Sequence, residues 1–426
     1  MKIPPVKGTK DFYPPDMARR NWIINGWKRV SVRNGFEEYD GPIFEYLKMF
    51  QVKSGDEIVE QLFSLKDRGG RDLAIRPEIT PTLARMVNQQ INSLPRPIKW
   101  FSVPRLCRAE RPQRGRLREF FQWNIDIIGV DDVLADAETI FCALDYLREV
   151  GLTPDDVVVK ISSRKMLAAV LNAVGVPRKN LDSLYAVLDK KNKLPAETFE
   201  KTLNEQLPDP KMADKIQEFM NLEDMEQIEK MFGRQDAFDE LTELISYLNE
   251  WGVGDYCRFD PAIVRGLAYY TGIVYEIYDR PGELRAIGGG GRYDNLLKQF
   301  GGPDIPATGF GIGDCILGIL LKKKGLLKPE TKELAYFVAC VNKDYKDRAA
   351  EIAVQLRSKG FIADFSYKAG RLGKQLKLAS DSGAKQCIII GEEFNSKQLV
   401  VKDMATGQQQ LIELDKFFAQ LKSELK

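Results

Sequence analysis

Arginines supply the first chemical signal. Arg108, Arg111, Arg114, Arg116 and Arg118 all fall within RAERPQRGRLRE at 108–119. A planar guanidinium fork meets phosphate or carboxylate oxygens in pairs, so such a run suits a pyrophosphate or an acceptor stem. Taken alone, it equally describes a solvated basic loop. Arg265 stands in RGLAYY beside Tyr269 and Tyr270. A strand with core aromatics would account for the tyrosines, but a guanidinium in an apolar setting needs an anionic partner. Glycines are the second signal. Gly288–Gly291 precede Arg292-Tyr293-Asp294, and Gly309, Gly311 and Gly313 alternate with apolar residues. Missing side chains allow close approach, by a ligand or by a neighbouring strand at a bend or bulge. No G-K-[ST] follows, so this is not a Walker loop, and a dinucleotide fingerprint would need a βαβ unit. A strand with one glycine face, able to lie against a nucleobase, fits 309–313 better.

Residue types that are absent narrow the chemistry. The 426 residues include no histidine. That excludes a histidine base, a histidine metal ligand and any histidine-containing triad. A titration of the reaction near pH 6–7 would then have no protein histidine to come from. Cys107, Cys142, Cys257, Cys315, Cys340 and Cys387 form no C-x-x-C pair. They read as reduced and mostly buried, with no metal site expected.

The elements that must position these residues follow from periodicity. Residues 16–34 read as a helix stopped by Gly35, and 62–78 as a hairpin around Arg68-Gly69-Gly70. Strand-like 98–110 and 118–129 flank the basic loop as an antiparallel pair. An amphipathic helix then runs to Gly151. Helical periodicity dominates from about Ser163 to Trp251, after which strands and glycines return. Beyond a polar linker at 328–333, alternating β and α segments indicate a small α/β domain. Lys+Arg is 63 against Asp+Glu 61, so any polyanion surface must come from local clustering. With 44% hydrophobic and 29% charged residues, the composition is that of a globular chain. No apolar run approaches the ~20 residues needed to span a bilayer, and MKIPPVKGTKDFYPPD has no apolar signal core. The expected compartment is the cytoplasm, without membrane contact.

Over nearly its full length the chain resembles the histidyl-tRNA synthetases, a group of class II aminoacyl-tRNA synthetases. The segments that carry the likeness are KGTKDFYPPD, GFEEYDGPIFE (motif 1), RPEITP, CRAERPQRGRLREFFQWNIDIIG (motif 2), VRGLAYYTGIVYE, GGGGRYD, GFGIGD and the C-terminal RLGKQLKLASDSGAKQCIIIGEE. The resemblance implies an α+β fold: a class II antiparallel sheet with helices, interrupted by a helical insertion and followed by a small α/β anticodon-binding domain. It divides the chain into catalytic segments 1–162 and 252–327, an insertion at 163–251, a linker at 328–333 and the anticodon-binding domain at 334–426. It also implies ATP, L-histidine and tRNA(His) as substrates, Mg2+ on the phosphates, and a homodimer built through motif 1.

Site roles follow from the same resemblance. Arg108 matches the residue on the α-phosphate, and Arg265 the one bridging the substrate carboxylate and that phosphate. Glu78, Thr80 and Gln122 match residues that hold the α-amino group. Asp126 and Tyr270 match those reading the imidazole, with Tyr269 beside them. Glu110, Arg116 and Phe120, together with Gly311 and Gly313, would face ATP. Two positions depart from the family pattern. Ile316 stands where motif 3 carries an arginine, and Ala268 where many members have aspartate. A synthetase-like regulatory subunit of ATP phosphoribosyltransferase is the rival reading; it lacks both RGLxYY and the C-terminal domain. A tRNA-binding homologue without catalysis is a further one.

Overall fold

The computed structural model describes residues 3–51, 62–177, 180–191, 194–233, 236–265, 269–329, 333–368 and 370–421. Ala268, one of the two departures from the family pattern, lies outside the described residues. Contacts divide the chain into two units, Met1–Pro329 and Glu330–Lys426.

The described strands of the first unit are β1 (Glu37–Glu38), β2 (Phe44–Tyr46), β3 (Phe63–Lys66), β4 (Asp72–Ile75), β5 (Ile98–Ser102), β6 (Arg105–Cys107), β7 (Glu119–Ile128), β8 (Val157–Ser163), β9 (Cys257–Phe259), β10 (Ile273–Asp279), β11 (Gly288–Arg292) and β12 (Ala307–Gly313). One large sheet runs β1-β5-β7-β12-β11-β10-β8-β9, with β6 also paired to β7. Its pairings are antiparallel apart from β1 with β5 and β8 with β9. The hairpin around 68–70 is β3–β4, with Lys66 opposite Asp72. The basic loop joins antiparallel β6 and β7, with Cys107 opposite Glu119. The stretch 98–110 is not one strand. It breaks after Ser102, where Pro104 has no N–H to give to a ladder. Among the described residues β10 starts at Ile273, and Arg265 has φ 61°, outside the extended region.

Period-two alternation gives the sheet two unlike faces. On β7, Trp123, Ile125 and Ile127 join the large core, as do Phe310 and Ile312 of β12. That face is covered by helices Pro14–Arg33 and Val133–Glu149. Trp27 stacks on Trp123 at 6.0 Å, and Trp123 Nε1 donates to Ser31 Oγ at 2.8 Å. The first helix starts on a proline pair, which costs it no intrahelical donor, and the chain leaves it through Gly35 at φ 79°. Asp132 caps the second helix.

Between β8 and β9 the described helices are Arg164–Val174, Leu181–Leu188, Ala196–Gln206, Pro210–Met220, Met225–Phe232 and Asp236–Glu250. Their buried residues, such as Leu184, Phe219 and Leu244, belong to the same core as β7 and β12. The region therefore has no separate interior. In the second unit, β13 (Tyr336–Cys340), β14 (Ala363–Phe365), β15 (Gln386–Ile390), β16 (Gln398–Asp403) and β17 (Gln409–Glu413) lie in the order β14-β13-β15-β16-β17. The first three strands are parallel and the last two antiparallel. All six cysteines are free, but only Cys142, Cys340 and Cys387 are buried; the other three are half-buried, fewer buried than expected. No helix of the described residues is long and apolar enough to cross a membrane.

Candidate active site

The face of the sheet turned away from the large core has a floor of glycine. Register places Gly309, Gly311 and Gly313 of β12 opposite Asp126, Asn124 and Gln122 of β7. On the other side Gly311 and Gly309 face Gly289 and Gly291 of β11, which in turn face Glu276 and Val274 of β10. Polar side chains fold across this floor. A Cβ added at Gly311 would lie 2.8 Å from the Gln122 amide, at Gly309 2.6 Å from Asp126 Oδ1, and at Gly289 2.9 Å from Arg265 Nη1. Glycine is thus needed so that Gln122, Asp126 and Arg265 can lie against backbone. Gly311 lies under the Gln122 side chain, whereas nothing lies within 4 Å of a Cβ at Gly313.

Asp126 sits at one end of the floor, 3% exposed. Tyr293 donates its hydroxyl to Oδ1, while Oδ2 is buried with no hydrogen-bond partner. Burial drives this carboxyl up to about 7, against the opposing pull of the Tyr293 bond. Tyr39, Tyr269, Tyr270 and Tyr293 belong to one apolar cluster here, with Trp100 packed against it. Tyr269 packs on Tyr270 and Tyr293 at 5.0 and 5.8 Å, and its hydroxyl donates to Glu78 Oε2 at 3.3 Å. Glu78 is itself buried and directly follows two anchored residues. Arg76 donates to Asp40 and to the Gly41 carbonyl, both at 2.7 Å, and the Pro77 carbonyl accepts from Arg108 Nε at 3.0 Å. Thr80 opens the helix Thr80–Gln90 two residues later.

Arg265 lies at the other end of the floor. Its Nη1 meets Glu276 Oε1 at 2.6 Å, and its guanidinium lies 5.6 Å from the Tyr270 ring centroid. Burial opposes the charge, but Tyr270 and Glu276 outweigh it, so the pKa is raised. Tyr278 donates to the second Glu276 oxygen. The guanidinium of Arg108 stands 5.4 Å from the Phe120 ring centroid. Within the basic loop Arg116 pairs with Glu110, and Arg118 donates to the Glu110 carbonyl at 3.1 Å. The loop is therefore held by its own ion pair, while Arg111 and Arg114 are exposed. Sequence reasoning did not single out Tyr39, Tyr293 or Glu276. Only Tyr293 left a trace, as the residue after the glycine run and Arg292.

A buried carboxylate in a tyrosine box at one end and a paired arginine at the other suit a small ligand with a polar ring and an anionic group. Among the described residues no group of three or more Cys, Asp or Glu could hold a metal. Glu276 faces the floor beside Arg265, where a carboxylate could touch an ion. Mg2+ is commonly held by one or two carboxylates plus phosphate oxygens, so these residues fit an ion carried by a nucleotide.

The histidyl-tRNA synthetase family model matches residues 8–313, and an anticodon-binding-domain model matches 336–424. The chain belongs to the histidyl-tRNA synthetase family. It is 40% identical to the chloroplastic/mitochondrial histidine–tRNA ligase of Arabidopsis thaliana, over 97% of this chain and 85% of that one. It is also 40% identical to the histidine–tRNA ligase of Opitutus terrae, over 94% of each. Histidyl-tRNA synthetase from a Nostoc species superposes with a TM-score of 0.79 over 99% of both chains at 23% identity, which shows a shared fold.

Within the histidyl-tRNA synthetase pattern the motif 3 position is held by Ile316, which is 7% exposed and part of the large core. A Cβ on Gly115, at φ 78° in the basic loop, would collide with the Ile316 side chain. Ile316 thus packs under that loop. Just ahead of it, Asp314 opens the helix Asp314–Lys323 and accepts from the Phe121 N–H at 3.1 Å, tying β7 to motif 3.

Proposed function

We propose that this chain activates L-histidine with ATP, releasing pyrophosphate, and transfers the histidyl group to tRNA(His). The observation that carries the reading is Asp126. Its partnerless buried oxygen, set among tyrosines, asks for a donor, and an imidazole N–H is one. The substrate carboxylate is ionised at neutral pH, so its attack on the α-phosphorus needs no protein base. It needs two anions brought together, which Arg108 and Arg265 would do by positioning and by stabilising transition-state charge. Glu78, Thr80 and Gln122 would hold the α-amino group, and Tyr269 and Tyr270 would wall the ring. Phe120 would stack on adenine, with Glu110, Arg116, Gly311 and Gly313 around ATP. Mg2+ would neutralise phosphate charge, with Glu276 as its protein neighbour.

Segments 1–162 and 252–327 would form the catalytic domain, 163–251 the insertion, and 334–426 the anticodon reader after a linker at 328–333. Ile43, Phe44, Tyr46 and Leu65, at 44–56% exposure on or beside the β2–β4–β3 sheet, favour motif 1 as a dimer face. The cytoplasm is the expected compartment. The regulatory-subunit reading lacks support, because the relatives above are ligases and 336–424 matches an anticodon-binding domain. Amino-acid-dependent ATP–pyrophosphate exchange tests the function: histidine alone should support it, and silence with histidine would overturn the reading. Arg265→Ala should slow exchange by two or more orders of magnitude, about 3 kcal/mol, in a folded protein. Near-normal exchange would remove Arg265 from catalysis.

A further inference from the structure

Arg265 and Gly272, on either side of Tyr269 and Tyr270 in sequence, are both bound by a single residue. Arg164 is 4% exposed and stands at the junction of β8 and the helix Arg164–Val174. Its backbone N–H donates to the Gly272 carbonyl at 2.8 Å, just before β10. Its side chain reaches back, and Nη2 donates to the Arg265 carbonyl at 3.2 Å. The anchor itself is stiff. Ser163 sits in register with Ile273, and its hydroxyl accepts from the Met166 N–H at 3.3 Å. The held residue is strained: Arg265 has φ 61°, which a residue with a Cβ rarely adopts and keeps only where its surroundings hold it there. The Arg164 guanidinium also lies over the Tyr185 ring, 4.0 Å from its centroid. Tyr185 belongs to the helix Leu181–Leu188, within 163–251.

We propose that Arg164 is a positioning residue for adenylate formation: it holds the Arg265 backbone in its left-handed conformation, and through the Tyr185 stack it ties the helical region to the substrate loop. The proposal rests on the catalytic reading of Arg265. Rotation about φ at Arg265 swings its side chain across the glycine floor, and a misplacement of about 1 Å can cost ~100-fold in rate. Lysine is a poor substitute for Arg164, because its single compact ammonium cannot donate to the carbonyl and lie flat over the Tyr185 ring at once.

The test is a double-mutant cycle on the full-length chain, read as single-turnover adenylate formation with steady-state KM values. Arg164→Lys should lower the rate about tenfold or more while the KM values for ATP and histidine change less than threefold. In an Arg265→Ala background the same change should cost less than twofold, because its effect passes through Arg265. A residue that only supports the fold would lose the same factor in both backgrounds, and that result overturns the proposal. So does an Arg164→Lys rate within twofold of the parent. If Arg164→Lys does not fold, Tyr185→Leu carries the same cycle with the same two criteria. If Arg265→Ala alone forms adenylate normally, the catalytic reading of Arg265 fails; if only that variant is crippled, the inference about Arg164 fails by itself.

Discussion

The Asp126 carboxyl, buried among tyrosines, keeps its proton up to about pH 7. A chain without histidine thus still holds a protein group that titrates near pH 7, beside any ring of the substrate. Asp136, beneath Arg292 and Thr308, is likewise raised to about 6, with burial outweighing the Arg292 pair at 2.5 Å. The type of these residues was legible; their burial was not, because it arises where strands distant in sequence meet. The sign follows from proton linkage. A carboxyl whose folded pKa is raised stabilises the fold fully below its ordinary value near 4, and that contribution is lost as pH rises through about 7. Each unit of pH in that window costs up to ~1.4 kcal/mol. Asp126→Asn has no such slope, so urea midpoints should favour the variant over its parent more at pH 8 than at pH 5. A difference independent of pH would mean that Asp126 titrates in its ordinary range. Kinetics give a second view. With a triazole analogue of histidine, whose ring is far less basic, pyrophosphate exchange should still show a limb near pH 7. If that limb vanishes with the analogue, it belonged to the imidazole.

At the level of strands and loops, the alternation in β7 and β12 is legible in the sequence, and it separates the core face from the glycine face. What lies over the glycines is not legible there. β7 pairs with β12 almost two hundred residues later, and only that register sets Gln122 and Asp126 across Gly311 and Gly309. Glu276 and Tyr39 escaped for the same reason, since each gains meaning from a partner on another strand or loop. The two glycines should therefore respond differently to alanine. At Gly311 the new methyl meets a side chain that can move, so Gly311→Ala should fold, displace Gln122 and raise the KM for histidine about tenfold, or ~1.4 kcal/mol. At Gly309 the methyl meets the Ile125 backbone carbonyl as well as Asp126, so Gly309→Ala should lose about 1–3 kcal/mol of stability. Equal stability of the two variants, with unchanged KM, would mean the floor is looser than described. The helix Asp314–Lys323 gives a related case. Motif 3 of the family carries an arginine at this position, whereas here Ile316 fills space beneath Gly115. Ile316→Arg should lower the melting temperature and raise the KM for ATP by disturbing that loop; a fall in KM would show that the position is a lost phosphate contact.

Across the whole molecule, the cores mark which parts depend on one another. Helices between β8 and β9 share their interior with the large sheet, so they cannot be removed without opening it. Residues 330–426 instead bury their own clusters, around Val338, Ile388 and Leu356 on one face of the sheet and Phe337 and Cys387 on the other. The βα alternation of this second unit was legible because local segments pair with near neighbours, whereas the interrupted sheet of the first unit depends on pairings across the insertion. A chain ending at Pro329 keeps every residue assigned here to histidine and ATP. It should sustain pyrophosphate exchange within a few-fold of the full chain, while tRNA charging, measured as kcat/KM for tRNA(His), should fall by at least two orders of magnitude, equal to ~2.7 kcal/mol of lost transition-state binding. Circular dichroism and a melting curve on the same preparation establish whether the shortened chain is folded. A folded chain that charges tRNA normally would show that the second unit does not read the tRNA. A folded chain that has lost exchange as well would show that residues 330–426 support the catalytic site itself, and the separation of roles argued from the cores would be abandoned.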